Sequence, residues 1–144
     1  MWSGPRNLST ALMRSFASRR DCSVIDEPFY SAYLKATGID HPMRDQILAS
    51  YNSDPLEISE NCFRGTTDTI IQYQKHMTHH MIPSFDRSFV HQVSNAFLIR
   101  SPEKVIKSFG KKIINFNLED LGFSQQVDLF NMISNSLGKA PPVI

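Results

Sequence analysis

A chain of 144 residues with 41% hydrophobic content and ten Phe residues has the size of one domain and is too apolar for a disordered segment. Its net charge of +1 argues against wholesale electrostatic binding of nucleic acid, so its basic residues carry meaning only where they cluster. Cys22 and Cys62 are too few for a disulfide scaffold and lack CxxC spacing, and no run nears the roughly 18 apolar residues of a membrane span.

The chain opens with "WSGPRNLSTALMRSF", turn-formers, a cation and hydroxyls leading straight into a helix. Leu8, Leu12 and Phe16 recur four apart, which predicts a helix over Ser9 to Arg19 with Arg14, Arg19 and Arg20 on its other face or at its end. "CSVID" reads as a short strand with Glu27-Pro28 at its end, and "FYSAYLKATG" as a helix stopped by Gly38. Pro42 starts a further helix over "MRDQILASY", and Pro55 to Phe63 makes another. "TDTIIQYQKH", residues 67–76, has the β-branched and aromatic content of a strand. "NAFLIR" is a compact apolar strand, and "SPEKVIKSFGKKI" a helix with Pro102 at its first turn. Phe123, Val127, Phe130, Ile133 and Leu137 mark an amphipathic helix ended by Gly138, and "PPVI" begins a strand. Strands alternating with helices predict a single α/β domain over residues 1–144, a parallel sheet covered by helices.

The opening loop has the makings of an anion site. A helix N-terminus offers unpaired N–H groups and partial positive charge. Gly4 and Pro5 allow a tight bend, Arg6 adds a permanent cation, Asn7 is polar, and Ser9 and Thr10 add hydroxyl donors. The same pattern also serves an ordinary turn in which Ser9 or Asn7 caps the helix. It is not the G-x-x-x-x-G-K-[ST] phosphate loop of ATPases, which counts against a kinase. A second candidate lies at Arg100, on a predicted strand end where ligands of open parallel sheets bind, with Ser108 two helical turns further on. The plain alternative is a sheet-edge Arg and a solvated Ser.

Together these segments resemble the PAPS-dependent sulfotransferase family, in which a P-K-S-G-T-T stretch and a later R-x-P-x-x-x-x-x-S stretch hold the donor. In "PRNLST", Pro5, Ser9 and Thr10 correspond, Arg6 replaces the lysine and Leu8 replaces the glycine, whereas "RSPEKVIKS" places Arg100, Pro102 and Ser108 in register. The likeness is closer to a sulfotransferase-like branch that also carries "DEPFY" and a K-x-M-x-H-H stretch, here Asp26 to Tyr30 and Lys75 to His80.

The resemblance implies a P-loop-like sulfotransferase fold, here a partial one that lacks part of its first strand and its C-terminal portion. It implies PAPS (3′-phosphoadenosine 5′-phosphosulfate) as donor, held by Gly4, Pro5, Arg6, Asn7, Ser9, Thr10, Arg100 and Ser108, without a metal. Arg6 would stabilise leaving-group charge. For the base, aligning Lys75 with the family's K-T-H lysine puts Met77 at the histidine position, so Glu27 and His79 stand as alternatives, with His80 a third. The "HMTHH" histidines also suit a metal, yet no carboxylate or thiol stands at a diagnostic spacing. Expected partners are the small-molecule donor and an unspecified hydroxyl or amine acceptor, with neither nucleic acid nor membrane, in a reduced cytoplasmic setting. A non-catalytic α/β module that keeps the anion pocket is the rival reading.

Overall fold

The computed structural model describes residues 1–65, 67–111, 113 and 116–144. Among these, four parallel strands form one sheet: β1 (Trp2–Ser3), β2 (Cys22–Asp26), β3 (Ile71–Met77) and β4 (Phe97–Leu98), in the order β2-β3-β1-β4. Six α-helices accompany it: α1 (Ser9–Ala17), α2 (Tyr30–Thr37), α3 (Arg44–Ser50), α4 (Pro55–Arg64), α5 (Pro102–Phe109) and α6 (Phe123–Leu137). Short 3₁₀ turns occupy Thr78–His80, Ser88–Gln92 and Glu119–Leu121. The α/β class with a parallel sheet flanked by helices is thus the one the alternating pattern predicts.

The least expected strand is the central one. Trp2 and Ser3, which the sequence places in the opening stretch of turn-formers, pair with His76 and Met77 on one side and with Phe97 and Leu98 on the other. The Trp2 N–H donates to Ala96 O and the His76 N–H to Met1 O, both at 2.9 Å, so the neighbouring strands are bridged there. Trp2 is buried, its indole Nε1 donates to Asn95 Oδ1 at 2.8 Å, and its ring lies 4.6 Å from that of His76. One large side chain therefore anchors a two-residue strand. The final residues also join the sheet, with Val143 bridged in parallel to Phe97.

Alternation along β3 feeds two layers. Tyr73 stacks on Phe16 of α1, with Met13 and Cys22 beside it. His76 points to the opposite face, among Trp2, Phe29 and Phe89, where α2, α4 and α6 cover the larger core. A third small cluster of Val105, Phe109 and Leu121 seats α5.

Several expected boundaries and faces shift, each for a local reason. The strand expected from residue 67 begins at Ile71, because Thr67 and Thr69 hydroxyls bond to each other and to Ser23 instead of entering a ladder. The α5 helix stops at Phe109 ahead of Gly110 rather than reaching Ile113; Lys112, within that expectation, lies outside the described residues. On α6, Val127 and Leu137 are exposed while Gln126, Leu129 and Ile133 are buried. The inward face is rotated because Gln126 Nε2 donates to Leu98 O at 3.1 Å. Leu8, expected on the inner stripe of α1, is 68% exposed, and Met13 is buried instead.

Because all strands run the same way, the segments following β1, β2, β3 and β4 gather at one carboxyl edge of the sheet. Residues 4–8, 27–29, 78–80 and 99–101 all lie there.

Candidate donor and acceptor site

Among the described residues, three of the four non-glycine residues with positive φ stand at this edge: Arg6 (62°), Leu8 (64°) and Glu27 (48°). Backbone strain of this kind persists only where the surroundings impose it, and it concentrates at working sites. In the opening loop it is Arg6 and Leu8, not glycine, that take the left-handed bends. Leu8 stands where the resembling motif has glycine, and it takes the αL backbone that glycine adopts without steric cost. Gly4 has a different task, since a Cβ there would lie 2.9 Å from Leu121 O.

Neither Ser9 nor Asn7 caps α1. The N-cap residue is Leu8, with no side-chain hydrogen bond, so the first N–H groups of the helix are left without a side-chain cap. Asn7 is buried and turns its Nδ2 to Leu98 O at 3.1 Å, leaving Oδ1 without a partner. Ser9 is buried and Thr10 exposed.

Arg6, Arg100 and Ser108 meet. Arg6 Nε donates to Ser108 Oγ at 3.0 Å, and Arg100 Nη1 donates to the Arg6 carbonyl at 2.8 Å. The strand-end arginine thus braces the strained loop, while the loop arginine reaches the helix hydroxyl. The sequence had set Arg6 and Arg100 in separate pockets; the fold makes them neighbours. Beside them a cleft of about 220 Å³ is lined by Arg100, Lys104, Lys107, Ser108 and Lys111. The three lysines were not singled out in the sequence, although their close spacing was legible there.

Glu27 sits at the end of β2, two strands from β1, or about 10 Å at the usual strand spacing. Its Oε1 accepts from Lys75 Nζ at 2.5 Å, and Asp26 Oδ1 accepts from the same ammonium at 2.7 Å. The Lys75 side chain is only 4% exposed. Burial alone would lower its pKa, but the hydrogen bonds and charges of the two carboxylates outweigh that and raise it. Asp26 and Glu27 also line an open cleft of about 640 Å³ with Tyr30, Ser31, Ile47 and Tyr51.

The histidines are more enclosed. His79 lies on the 3₁₀ turn after β3, its Nδ1 without a partner and only 3.5 Å from where a Cβ on Gly122 would sit. Burial, opposed by the charge of Asp120, brings its pKa down to about 4. His80 is stacked between the Tyr30 and Tyr33 rings, at 5.0 and 4.9 Å, and burial followed by the His79 charge lowers it well below the usual histidine range. Both imidazoles are neutral at pH 7. Among the described residues, no three His, Cys, Asp or Glu side chains converge as metal ligands, and no helix is long and apolar enough to cross a membrane.

The domain is α/β, a parallel sheet flanked by helices, and its carboxyl edge brings a strained, arginine-bearing helix-entry loop against a strand-end arginine and a helix hydroxyl. The chain belongs to the sulfotransferase-domain family, whose model, described as "Sulfotransferase domain", matches residues 1–138. It is 32% identical over 143 residues to "Branched-chain-amino-acid aminotransferase-like protein 2" of Arabidopsis thaliana, and 33% identical to "Branched-chain-amino-acid aminotransferase-like protein 1" of the same plant. In each case the match takes in 99% of this chain and 25% of the relative, so the chain spans a quarter of the length of these curated relatives. No solved structure matches it significantly.

Proposed function

We propose that this chain transfers a sulfonate group from PAPS to a hydroxyl or amine acceptor. The observation that supports it is the joining of Arg6, Arg100 and Ser108 at the carboxyl edge, next to the N-terminus of α1. These residues fit an anionic nucleotide: the adjoining cleft is lined by four cations and a hydroxyl and by no carboxylate.

The donor supplies the activated sulfonate. As the bond between its sulfur and the donor phosphate oxygen breaks, the electron pair stays on that oxygen. A new S–O or S–N bond forms to the acceptor, which gives up one proton. The α1 N–H groups, Ser9 and Thr10 would hold the 5′ side, while Arg6, always charged, meets the negative charge growing on the leaving oxygen. Arg100 and Ser108 would hold the 3′-phosphate, Arg100 also fixing the loop through the Arg6 carbonyl.

Of the three candidate bases, Glu27 is favoured, since His80 is buried between the Tyr30 and Tyr33 rings. Glu27 lines an open cleft, and Lys75 fixes its carboxylate. The unpartnered Nδ1 of His79 is enclosed and out of reach of an acceptor, whereas Glu27 faces the cleft. The cleft of Asp26, Glu27, Tyr30 and Tyr51 would then receive the acceptor.

Calorimetry on the folded chain tests the donor reading, with adenosine 3′,5′-bisphosphate expected to bind at least about tenfold tighter than ATP. Equal or absent binding counts against it. Transfer from labelled PAPS to a broad acceptor panel then separates an enzyme from a module that binds donor and transfers nothing.

A further inference from the structure

The reading above uses Arg100 and Ser108 but leaves three lysines of the same cleft without a task. Lys104 and Lys107 lie on α5 and Lys111 just past its end; all three are exposed, fall four, one and three residues from Ser108, and line the cleft together with it. The ion pairs among the described residues are Arg19–Asp21, Arg44–Asp45 and Lys75 with Asp26 and Glu27; none involves these lysines. Glu103, four residues before Lys107, makes no pair with it. Lys104 and Lys107 are like-charge neighbours at i,i+3 on α5, an arrangement that destabilises a helix, and Lys111 adds a third cation just past the helix end. A chain of net charge +1 thus concentrates uncompensated cations around one hydroxyl, at a cost to helix stability.

The cleft is small. At about 220 Å³ it holds one tetrahedral anion with its waters, not a polymer. The Arg6 carbonyl takes one Arg100 N–H and Ser108 Oγ already accepts from Arg6, so much of the charge available to an anion there comes from the lysines. A terminal phosphate monoester, with a charge of roughly −2 at pH 7, gains most from such a cluster, whereas a nucleotide lacking it gains only a diffuse field.

We propose that Lys104, Lys107 and Lys111 are specificity-determining residues, which make this chain select a donor bearing a 3′-phosphate over the same nucleotide without one. The inference rests on the PAPS reading and assigns its discrimination to residues outside the Arg100–Ser108 pair.

The test compares adenosine 3′,5′-bisphosphate with adenosine 5′-monophosphate on the full chain and on the Lys104→Gln, Lys107→Gln, Lys111→Gln triple variant. The native chain should prefer the bisphosphate by about 100-fold at low salt, and the variant, which keeps Arg100 and Ser108, by only about tenfold, with monophosphate binding changed less than about twofold. The thermal midpoint of the variant should hold or rise slightly, since only like-charge repulsion is removed. An undiminished preference in the variant, or an equal loss for both nucleotides, overturns the assignment while leaving the PAPS reading in place. A native chain that binds neither nucleotide, or both alike, overturns both.

Discussion

The guanidinium of Arg6 and the hydroxyl of Ser108, 102 residues apart in sequence, are joined by a 3.0 Å hydrogen bond, and the Arg6 carbonyl is in turn held by Arg100. Two segments that read as separate sites are thereby one mechanical unit: α5 positions the loop, and the loop positions the charge. The two arginines nevertheless differ in what they offer. The Arg6 side chain is tied to Ser108 through Nε, so its terminal nitrogens can meet charge at the reacting end, whereas Arg100 is partly spent on holding backbone.

This division predicts different kinetic signatures. Arg6→Ala should lower the transfer rate by about 10²–10³-fold with little change in donor affinity, because leaving-group charge grows in the transition state. Arg100→Ala should chiefly weaken donor binding, about tenfold or more, and loosen the loop. Single-turnover rates and equilibrium titration separate the two, and a reversed pattern would mean the roles are exchanged.

Leu8 offers a test of stored strain. Its φ of 64° is imposed on a side chain that is 68% exposed and so contributes little burial. Leu8→Gly should raise stability by about 1 kcal/mol, the usual penalty for an L-residue in the left-handed region. Leu8→Val should lower it, since β-branching makes the same bend harder. Urea unfolding of the three proteins orders them directly.

How far the sequence carried the fold depends on the kind of signal. β2 was legible because "CSVID" is bounded by turn-formers, and α2 and α6 because Gly38 and Gly138 take the left-handed conformation that ends a helix. β1 was not, since two residues carry no periodicity and their strand character comes from partners 74 and 95 positions away. Likewise the residue types at Arg6, Arg100 and Ser108 were readable from spacing, but their mutual contact is tertiary. The Lys75 pairing with Asp26 and Glu27 was hidden for the same reason, and it recasts Glu27 from a lone carboxylate into a held one.

His79 predicts an acid limit to stability. Its folded pKa is near 4 against an ordinary value of 6.5, so the unfolded chain takes up a proton first as pH falls. The stability present above pH 6.5 should therefore decline through the window from 6.5 to 4, by about 3 kcal/mol at most from this group. His80, shifted the same way, adds to the slope. Chemical denaturation at pH 7, 5.5 and 4.5 should show a shallower decline for His79→Gln than for the native chain. An unchanged slope would place the proton uptake elsewhere.

The choice of base is decided by comparing Glu27→Gln with His79→Gln. Glu27→Gln keeps the shape of the cleft and one acceptor for Lys75, and Asp26 still pairs the ammonium, so folding should survive. Removing a base typically costs about 10²–10⁴ in rate, and here it should appear in the rate with the acceptor KM nearly unchanged. His79→Gln should alter stability and its pH dependence but transfer by less than about tenfold, because the imidazole nitrogen is enclosed beneath Gly122 rather than open to an acceptor. If the losses fall the other way round, the turn from Glu119 to Gly122 must open during turnover to uncover His79, and the acceptor approaches from the α6 side of the sheet edge instead of from the cleft beside α2 and α3.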